Sequence, residues 1–485
     1  MFRSKIFKVV GIVSILNILA MIFGFLRELT IGVTYGTSYQ ADSIITAFTI
    51  PNFLYIVIGG SINTAFISVY SKMDESRRWD FTQVAYTILL LISSVITIVF
   101  MLFPKFWMDL FFSGMTPEAL DLTAKLFVVT APATLFLVVS MLMSGLLNVH
   151  GGYRFTTFMT LIFNALYVMI GVLLTPVLSE YSYALGASLG AFAILFAMAY
   201  RLRKQQVISL KPKLMDMPEL KKLLYLALPI MLGGATMQFY LIIQRIFATG
   251  LDEGAVSAIN YTSKITQVPR GVIMASVTTV VYPMLAKAAG AGDFGKIDKA
   301  YRQGFRMLAV LLVPASTFLF IYAKDVITFV FQYGNFGPES TKLTYPLLQV
   351  FALSMFSLSL NTYITRFFYA LEKTLLPNVL NIISVFGVNI LVIYLWIDTM
   401  GTAAIAYGTV ISALFNMLLL IFFAKTKFDL SVCSWRQFAK YLVFSAVTIG
   451  ALMAIASLPV SSVFLSLLTG GLVTVALIGA GLKTI

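Results

Sequence analysis

Long apolar runs separated by short polar segments dominate this chain. A membrane-spanning helix needs about 20 consecutive apolar residues, and fourteen runs approach or exceed that length. Backbone amides in hydrocarbon must bond within their own segment, so these runs predict an all-α polytopic membrane protein of about 14 transmembrane helices. The predicted helices span residues 7–33, 42–71, 81–103, 122–148, 155–178, 182–201, 221–250, 254–286, 303–323, 343–371, 374–397, 401–424, 437–457 and 461–482.

Composition agrees with this pattern and narrows the possible chemistry. Hydrophobic residues make up 59% of the chain and charged residues 11%, whereas soluble domains are about a quarter charged. The single cysteine excludes an intrachain disulfide, and the single histidine excludes a histidine-built metal site. No Walker motif is present, so ATP is not the direct energy source. We find no catalytic constellation and predict a non-enzymatic protein without a cofactor or metal.

The basic residues are distributed unevenly between the two sets of loops. With the N-terminus placed inside, 25 of the 34 lysines and arginines fall in inside loops or at the inside ends of spans, and four fall in outside loops or at outside ends. The positive-inside rule therefore predicts that both termini are cytoplasmic, in a bacterial inner membrane. The net charge of +14 follows from these loops and needs no nucleic-acid partner. The first apolar run lacks a signal-peptidase site, so we predict an uncleaved first helix.

A basic segment divides the predicted helices into two sets of six. We predict an N-lobe at 1–201 (helices 1–6), a cytoplasmic linker at 202–220, a C-lobe at 221–424 (helices 7–12) and C-terminal helices 13 and 14 at 425–485.

The two predicted lobes are similar in sequence. Helices 4–6 align with helices 10–12 at a constant offset of 221, so that 144–157 matches 365–378. Six helices return the chain to the same side, so the lobes are expected to be related by a pseudo-two-fold axis along the membrane normal. Transporters of this kind bind substrate between the lobes and alternate access. The alternative is that unrelated apolar helices look alike by chance.

Five basic residues lie farther inside predicted spans and belong to neither of these sets, namely Arg27, Arg245, Lys264, Arg270 and Arg366. A charge at mid-bilayer costs at least about 2.5–3.5 kcal/mol, so each needs a physical reason. Arg245 and Arg366 lie near helix ends, and we expect them to extend to the interface by snorkelling.

The other three basic residues have few acidic partners. Arg27, Lys264 and Arg270 are expected to line a water-filled, net positive cavity, since Glu28 and Asp42 are the main acids in or at the spans. The alternative is ion pairing between helices. A cationic cavity favours an anionic substrate, and the planar guanidinium fork suits phosphate.

Residues 24–72 resemble the first two helices of the MurJ (MviN) lipid II flippase family, part of the MOP exporter superfamily. The family motifs G-x-x-R-[DE], [YF]-G-x-S, D-A, P-x-x-L and A-F-x-x-x-Y-S are matched by Gly24, Arg27, Glu28, Tyr35, Gly36, Ser38, Asp42, Pro51, Leu54, Ala65, Phe66, Tyr70 and Ser71. Residues 254–287 look like the helix 8 of that family.

This resemblance implies a flippase that moves undecaprenyl-pyrophosphate-linked peptidoglycan precursor, lipid II, from the inner to the outer leaflet by alternating access. Arg27 and Asp42 match a family arginine and aspartate, and Lys264 occupies a helix 8 arginine position. The implied partners are a lipid-linked pyrophosphate glycan and membrane lipids. Cell-wall synthesis proteins are further candidate partners, and we expect a monomer.

The chain departs from the family pattern at several charged positions. Tyr55 stands where the family has a helix 2 arginine, and we keep it as a candidate substrate-binding residue. Met21 replaces a second helix 1 arginine, and we expect Arg270 to replace one of these cations. Gln244 and Ile393 stand where some members carry sodium-binding acids, so the resemblance does not extend to sodium coupling.

Three alternatives remain at the sequence level. The first is a flippase for another polyprenyl-pyrophosphate-linked glycan. The second is a MATE-like small-molecule antiporter, which needs a titrating carboxylate in a lobe. The third is a non-transporting scaffold for envelope synthesis, in which reversing charges inside the spans leaves function intact.

Overall fold

The computed structural model describes residues 2–209, 211–460 and 462–484, and every regular element in these ranges is helical. The helices in chain order are α1 (Phe2–Tyr35), α2 (Tyr39–Ala47), α3 (Thr49–Leu54), α4 (Gly60–Tyr70), α5 (Glu75–Leu102), α6 (Pro104–Phe112), α7 (Pro117–Val149), α8 (Tyr153–Leu178), α9 (Tyr181–Lys204), α10 (Pro218–Thr249), α11 (Ala255–Gly290), α12 (Phe294–Ile321), α13 (Ala323–Phe331), α14 (Pro338–Ala370), α15 (Leu375–Ile382), α16 (Ile390–Met400), α17 (Thr402–Phe428), α18 (Trp435–Ala456) and α19 (Val463–Thr484).

The predicted fold class, an all-α multi-pass membrane protein, is confirmed. Within the described ranges, thirteen helical segments are long and apolar enough to cross a membrane. The 32-residue helix α10 stands at the position of the seventh predicted helix.

Two predicted spans are less regular than the hydropathy pattern indicated. The second is interrupted at Phe48 and again by a π-helical turn, Tyr55–Gly59. Pro51 contributes to the first interruption because it has no N–H to donate to the carbonyl four residues earlier. The eleventh contains a π-helical turn at Ile383–Asn389. Such turns place one extra residue in a helix and are frequent at functional sites.

Two short helices, α6 and α13, were missed by the sequence analysis. Each has nine residues, well below the length of a membrane span. In α6, Met108 and Phe112 are buried, while Phe106 and Leu110 are exposed. An amphipathic segment of this kind suits a membrane surface better than its interior.

The chain forms two compact units. Unit 1 comprises residues 1–31 and 38–256, and unit 2 comprises residues 32–37 and 257–485. In unit 1, α7 packs on α2, α4, α5 and α9, and α10 packs on α4. In unit 2, α14 packs on α12, α13 and α17, while α18 and α19 pack on α12. The predicted linker 202–220 lies within unit 1.

The backbone supports the internal duplication beyond the level of hydropathy. Helices α7 and α14 both have 33 residues and begin at prolines 221 positions apart. Helices α9 and α17 begin at residues 181 and 402, the same offset. Gly151 and Glu372, also 221 apart, both have positive φ, 78° and 61°. Apolar periodicity does not require matching left-handed turns, so a shared origin of the two segments explains them better than chance.

Candidate functional site: an arginine cluster in unit 1

Arg27 and Glu28 form an ion pair on α1. The Nε and Nη2 atoms of Arg27 donate to Glu28 Oε1 over 3.1 and 2.5 Å. The Arg27 side chain is 15% exposed and that of Glu28 3%. The pair is therefore largely removed from solvent, and Arg27 and Glu28 are neighbours on the same helix.

Two aromatic rings fix the Arg27 guanidinium from other elements of unit 1. Its Cζ lies 4.8 Å from the ring centre of Tyr167 on α8 and 5.9 Å from that of Phe48, between α2 and α3. The two rings contact each other edge to face at 5.5 Å. Cation–π contacts of this kind strengthen when they are desolvated. The carboxylate and the rings together hold the guanidinium in one place.

Arg245 of α10 joins this group. Its Nη1 donates to the Thr49 hydroxyl and, over 3.4 Å, to the Ile45 carbonyl. These two acceptors lie side by side at the interruption after α2. Thr49 Oγ1 itself donates a hydrogen bond to Ile45 O over 3.2 Å. Arg27 and Glu28 are close enough for their charges to act on Arg245. The snorkelling prediction for Arg245 is therefore wrong, because the side chain turns into unit 1.

We call Arg27, Glu28, Thr49, Tyr167 and Arg245 the arginine cluster. It combines two guanidiniums from two helices with one carboxylate, a formal charge of +1. A net positive group in surroundings of low polarity attracts anions more strongly than the same group in water. Arginine forks bind phosphate oxygens through paired hydrogen bonds. The cluster is therefore suited chemically to a phosphate-bearing ligand.

The sequence analysis missed Arg245 as a site residue. Arg245 lies next to Gln244 in an otherwise apolar turn of α10, and this pair of polar residues could have marked it as a site residue. Its place near the helix end favoured an interfacial role instead. Its partners, on α2 and α3, are about 200 residues distant in the chain. No local pattern identifies such partners.

Asp42 holds two segments of unit 1 together. Its Oδ2 accepts from the Gly254 N–H over 2.9 Å, and the Tyr39 N–H donates to Glu253 Oε1 over 2.8 Å. A cavity of about 40 Å³ lies beside these contacts. Asp42 therefore stabilises the start of α2 against the turn that precedes α11.

The other predicted site residues lie on different elements. Tyr55 is the first residue of the π-helical turn of unit 1. Lys264 and Arg270 are six residues apart on α11 in unit 2, and both are partly exposed. Arg366 of unit 2 donates from Nη1 to Thr278 Oγ1 on α11 over 2.8 Å, and its snorkelling to the interface stays a prediction.

The comparisons with known proteins agree on one family. The family model described as "Lipid II flippase MurJ" matches residues 31–478. The "Probable lipid II flippase MurJ" of Rhizobium meliloti is 28% identical over 426 residues, covering 82% of this chain and 77% of the relative.

Solved structures agree with the fold. "Lipid II flippase MurJ, inward closed conformation" superposes with a TM-score of 0.86 at 21% identity, covering 97% of both chains. An inward-facing multidrug resistance MATE family transporter of the MOP superfamily gives a TM-score of 0.70 at 15% identity, covering 86% of this chain and 94% of that one. These likenesses show the fold, and the match of the family model over most of the sequence shows that the chain belongs to the lipid II flippase MurJ family.

Proposed function

We propose that this chain translocates lipid II from the inner to the outer leaflet of a bacterial cytoplasmic membrane. The observation that carries the proposal is the arginine cluster, a net positive group built from residues of membrane-spanning helices in a member of this family. A flippase makes no covalent bond, so we assign no catalytic role to any residue.

The pyrophosphate of the substrate is the group we expect the protein to bind most strongly. Arg27 is already oriented by Tyr167 and Phe48, so binding requires little further ordering of this side chain. Lys264 and Arg270 of α11 are proposed as additional phosphate contacts. Tyr55 is proposed to offer its hydroxyl to the substrate, and Asp42 to support the site by holding the start of α2.

We propose alternating access as the transport mechanism, because the chain contains an internal duplication. An inside-negative potential favours outward movement of an anionic substrate by about 2.3 kcal/mol per charge per 100 mV. The excess of basic residues in one set of loops supports cytoplasmic N- and C-termini. We propose that the protein acts as a monomer.

Depletion and complementation test this function. In cells that depend on this protein, its depletion should cause lipid II to accumulate in the inner leaflet, and the wild-type chain should rescue a strain depleted of its own lipid II flippase. Arg27→Ala and Arg270→Ala should each abolish rescue, while Arg366→Ala, which removes an arginine bonded to a hydroxyl elsewhere, should have little effect. Failure of the wild-type chain to rescue, without lipid II accumulation on depletion, would refute the proposal.

A second candidate is a flippase for a different polyprenyl-pyrophosphate-linked glycan. It is favoured by Met21 and Tyr55, which replace arginines of the family pattern. The same depletion experiment separates the two, because the precursor that accumulates identifies the substrate. A MATE-like antiporter is less well supported, since the Glu28 carboxylate is bound to Arg27.

A further inference from the structure

We infer that the segment between α9 and α10 is a releasable strap, which holds the start of α10 on α5 in one state of the transport cycle and detaches in another. The strap consists of residues 205–209 and 211–217, and neither range contains a regular element. This inference rests on the alternating access proposed above. It adds a conformational device in unit 1 that is built from residues outside the arginine cluster.

A polar stripe on α5 binds the strap. Arg77, Asp80, Gln83 and Thr87 are spaced three or four residues apart, so their side chains lie along one face of the helix. Lys213 contacts this face twice, because its N–H donates to Thr87 Oγ1 over 2.9 Å and its Nζ donates to Asp80 Oδ1 over 2.6 Å. One residue of the strap thus connects positions about two turns apart on α5.

Two further contacts extend this line of bonds. With its amide oriented by these neighbours, Gln83 donates to Ser209 Oγ over 3.0 Å and to Lys211 O over 3.2 Å. Glu219, in the first turn of α10, accepts from Arg77 Nη2 over 3.1 Å, and the two side chains form an ion pair. The strap and the start of α10 are therefore bound along the same face of α5.

The centre of the strap has little apolar anchoring. Ile208 and Met217, near its two ends, are 2% and 1% exposed. Leu214 and Met215, between them, are 69% and 43% exposed. Docking of the central residues therefore depends on hydrogen bonds and ion pairs rather than on a buried apolar surface.

The ion pairs that hold the strap are partly exposed. The side chains of Lys213 and Asp80 are 39% and 35% exposed, and that of Arg77 is 47% exposed. Water screens such pairs, so each contributes little to stability. Several weak contacts give a docked state that dominates by a modest factor, and a ligand with different affinities for the two states can shift that balance.

The strap connects parts of the chain that the sequence pattern separates. The lobe boundary predicted at 202–220 places α10 in the second lobe. In the structure α10 packs on α4 and belongs to unit 1, which extends to residue 256. In alternating access, movement of the second lobe would act on α10, and the bonds at the start of α10 are contacts that such a movement has to break.

A permanent brace is the competing explanation. In that case the strap stays on α5 throughout transport, and fixing it covalently changes nothing. A strap that has to detach predicts the opposite, because a covalent link between the strap and α5 stops the cycle.

The experiment uses the full chain without its single cysteine, Cys433→Ala, reconstituted in lipid vesicles with lipid II as the substrate. Thr87→Cys and Lys213→Cys are introduced together. The hydrogen bond between Lys213 N and Thr87 Oγ1 brings the two Cα atoms to within about 7 Å, a distance that a disulfide can span. Oxidation should slow lipid II translocation at least about tenfold, because a conformational step is blocked, and a reductant should restore the rate.

A matched disulfide controls for cross-linking itself. Thr175 and Ser182 connect α8 and α9 within unit 1, with their hydroxyl oxygens 3.1 Å apart. Thr175→Cys/Ser182→Cys in the same background should form its disulfide and still translocate lipid II at the rate of the reduced protein. If the 87–213 pair fails to oxidise under conditions that oxidise the 175–182 pair, the strap is not docked and the inference is wrong.

Amide hydrogen exchange of residues 211–217 in detergent is a second measurement that needs no cross-link. Adding lipid II should change the exchange rate at least about threefold, because substrate shifts the balance between docked and detached strap. Glu219→Gln removes the ion pair with Arg77 and should raise the rate by a similar factor, whereas the charge swap Arg77→Glu/Glu219→Arg should bring it back towards wild type. Lys425→Gln, which removes an ion pair in unit 2, should leave it unchanged.

The outcomes keep the inference apart from the proposed function. Unchanged translocation with the 87–213 disulfide intact identifies a permanent brace, so the inference fails and the flippase proposal stands. An exchange rate that neither lipid II nor Glu219→Gln alters leads to the same conclusion. If wild type translocates no lipid II, the proposed function fails, and the transport cycle that the strap was inferred to serve fails with it.

Discussion

The carboxylate of Asp42 accepts a hydrogen bond from the backbone N–H of Gly254 over 2.9 Å, joining positions 212 residues apart in the chain. Asp42 is 6% exposed. The adjacent bond from the Tyr39 N–H to Glu253 runs in the opposite direction, so each segment provides one carboxylate and one amide. The start of α2 and the turn before α11 are thus connected reciprocally.

Removing this carboxylate should destabilise unit 1. Asp42→Ala leaves the Gly254 N–H without its charged acceptor, and we expect a loss of about 1.5–3 kcal/mol in the free energy of unfolding. Thermal unfolding of the purified protein in detergent measures it. The control is Asp74→Ala, which replaces an exposed aspartate that makes no capping hydrogen bond to α5. Equal unfolding temperatures for the two variants would contradict the stabilising role of the Asp42 carboxylate.

Arg27 should not be replaceable by lysine. Arg27→Lys keeps the charge but loses the second nitrogen bonded to Glu28 and the flat contact with Tyr167, so we expect transport to slow by about tenfold. Accumulation of lipid-linked precursor in a complemented strain reports this rate. Arg201→Lys is the matched control, since Arg201 lies 4.3 Å from the ring centre of Phe155 outside the arginine cluster. Wild-type transport by Arg27→Lys would show that charge alone suffices.

Glu372 is strained in a way that its repeat counterpart is not. It has a φ of 61°, and the matching position of the first half is Gly151, with a φ of 78°. Glu372→Gly should therefore stabilise the protein by about 1 kcal/mol, because glycine adopts this conformation without a Cβ penalty.

The reciprocal substitution provides the control for Glu372. Nothing lies within 4 Å of a Cβ added at Gly151, so any cost of Gly151→Ala comes from the backbone alone. We expect Gly151→Ala to destabilise the protein by about 1 kcal/mol in thermal unfolding. Changes of opposite sign in the stability of the two variants support the left-handed backbone at both positions. Changes of the same sign would argue against it.

The start of α12 should depend on pH. Asp293 caps this helix by accepting from the Lys296 N–H over 3.0 Å, and its other oxygen accepts from Lys296 Nζ over 2.6 Å. The side-chain hydrogen bond from Lys296 is the main cause that lowers the pKa of Asp293. A lowered pKa means that this stabilisation is complete above the ordinary aspartate value, near pH 4, and is lost as the pH falls below it.

Amide hydrogen exchange at residues 295–297 tests this pH dependence. After correction for intrinsic rates, protection in the wild type should fall as the pH is lowered through the interval below the ordinary aspartate value, near pH 4. Asp293→Asn cannot titrate, and its protection should stay constant over the same interval. A wild-type profile as flat as that of the variant would exclude Asp293 as the titrating cap.

Hydropathy alone predicted most of the helices because burial in lipid and backbone hydrogen bonding depend on local composition. The offset of 221 between the two halves was likewise readable from residues, and helix starts and left-handed turns repeat at that spacing. Short amphipathic helices and π-helical turns were not predicted, because they change the apolar pattern by only a few residues.

The sequence by itself determined that the chain is a multi-pass helical protein whose two halves are similar and whose predicted spans hold more basic than acidic residues, since each of these follows from residue type and spacing. Only the tertiary structure decided which distant groups the charged side chains bond to. Arg245 reaches Thr49, and Asp42 reaches Gly254, across about 200 residues in each case. Such pairings depend on how helices pack and where one of them is interrupted, and neither is encoded in a local periodicity.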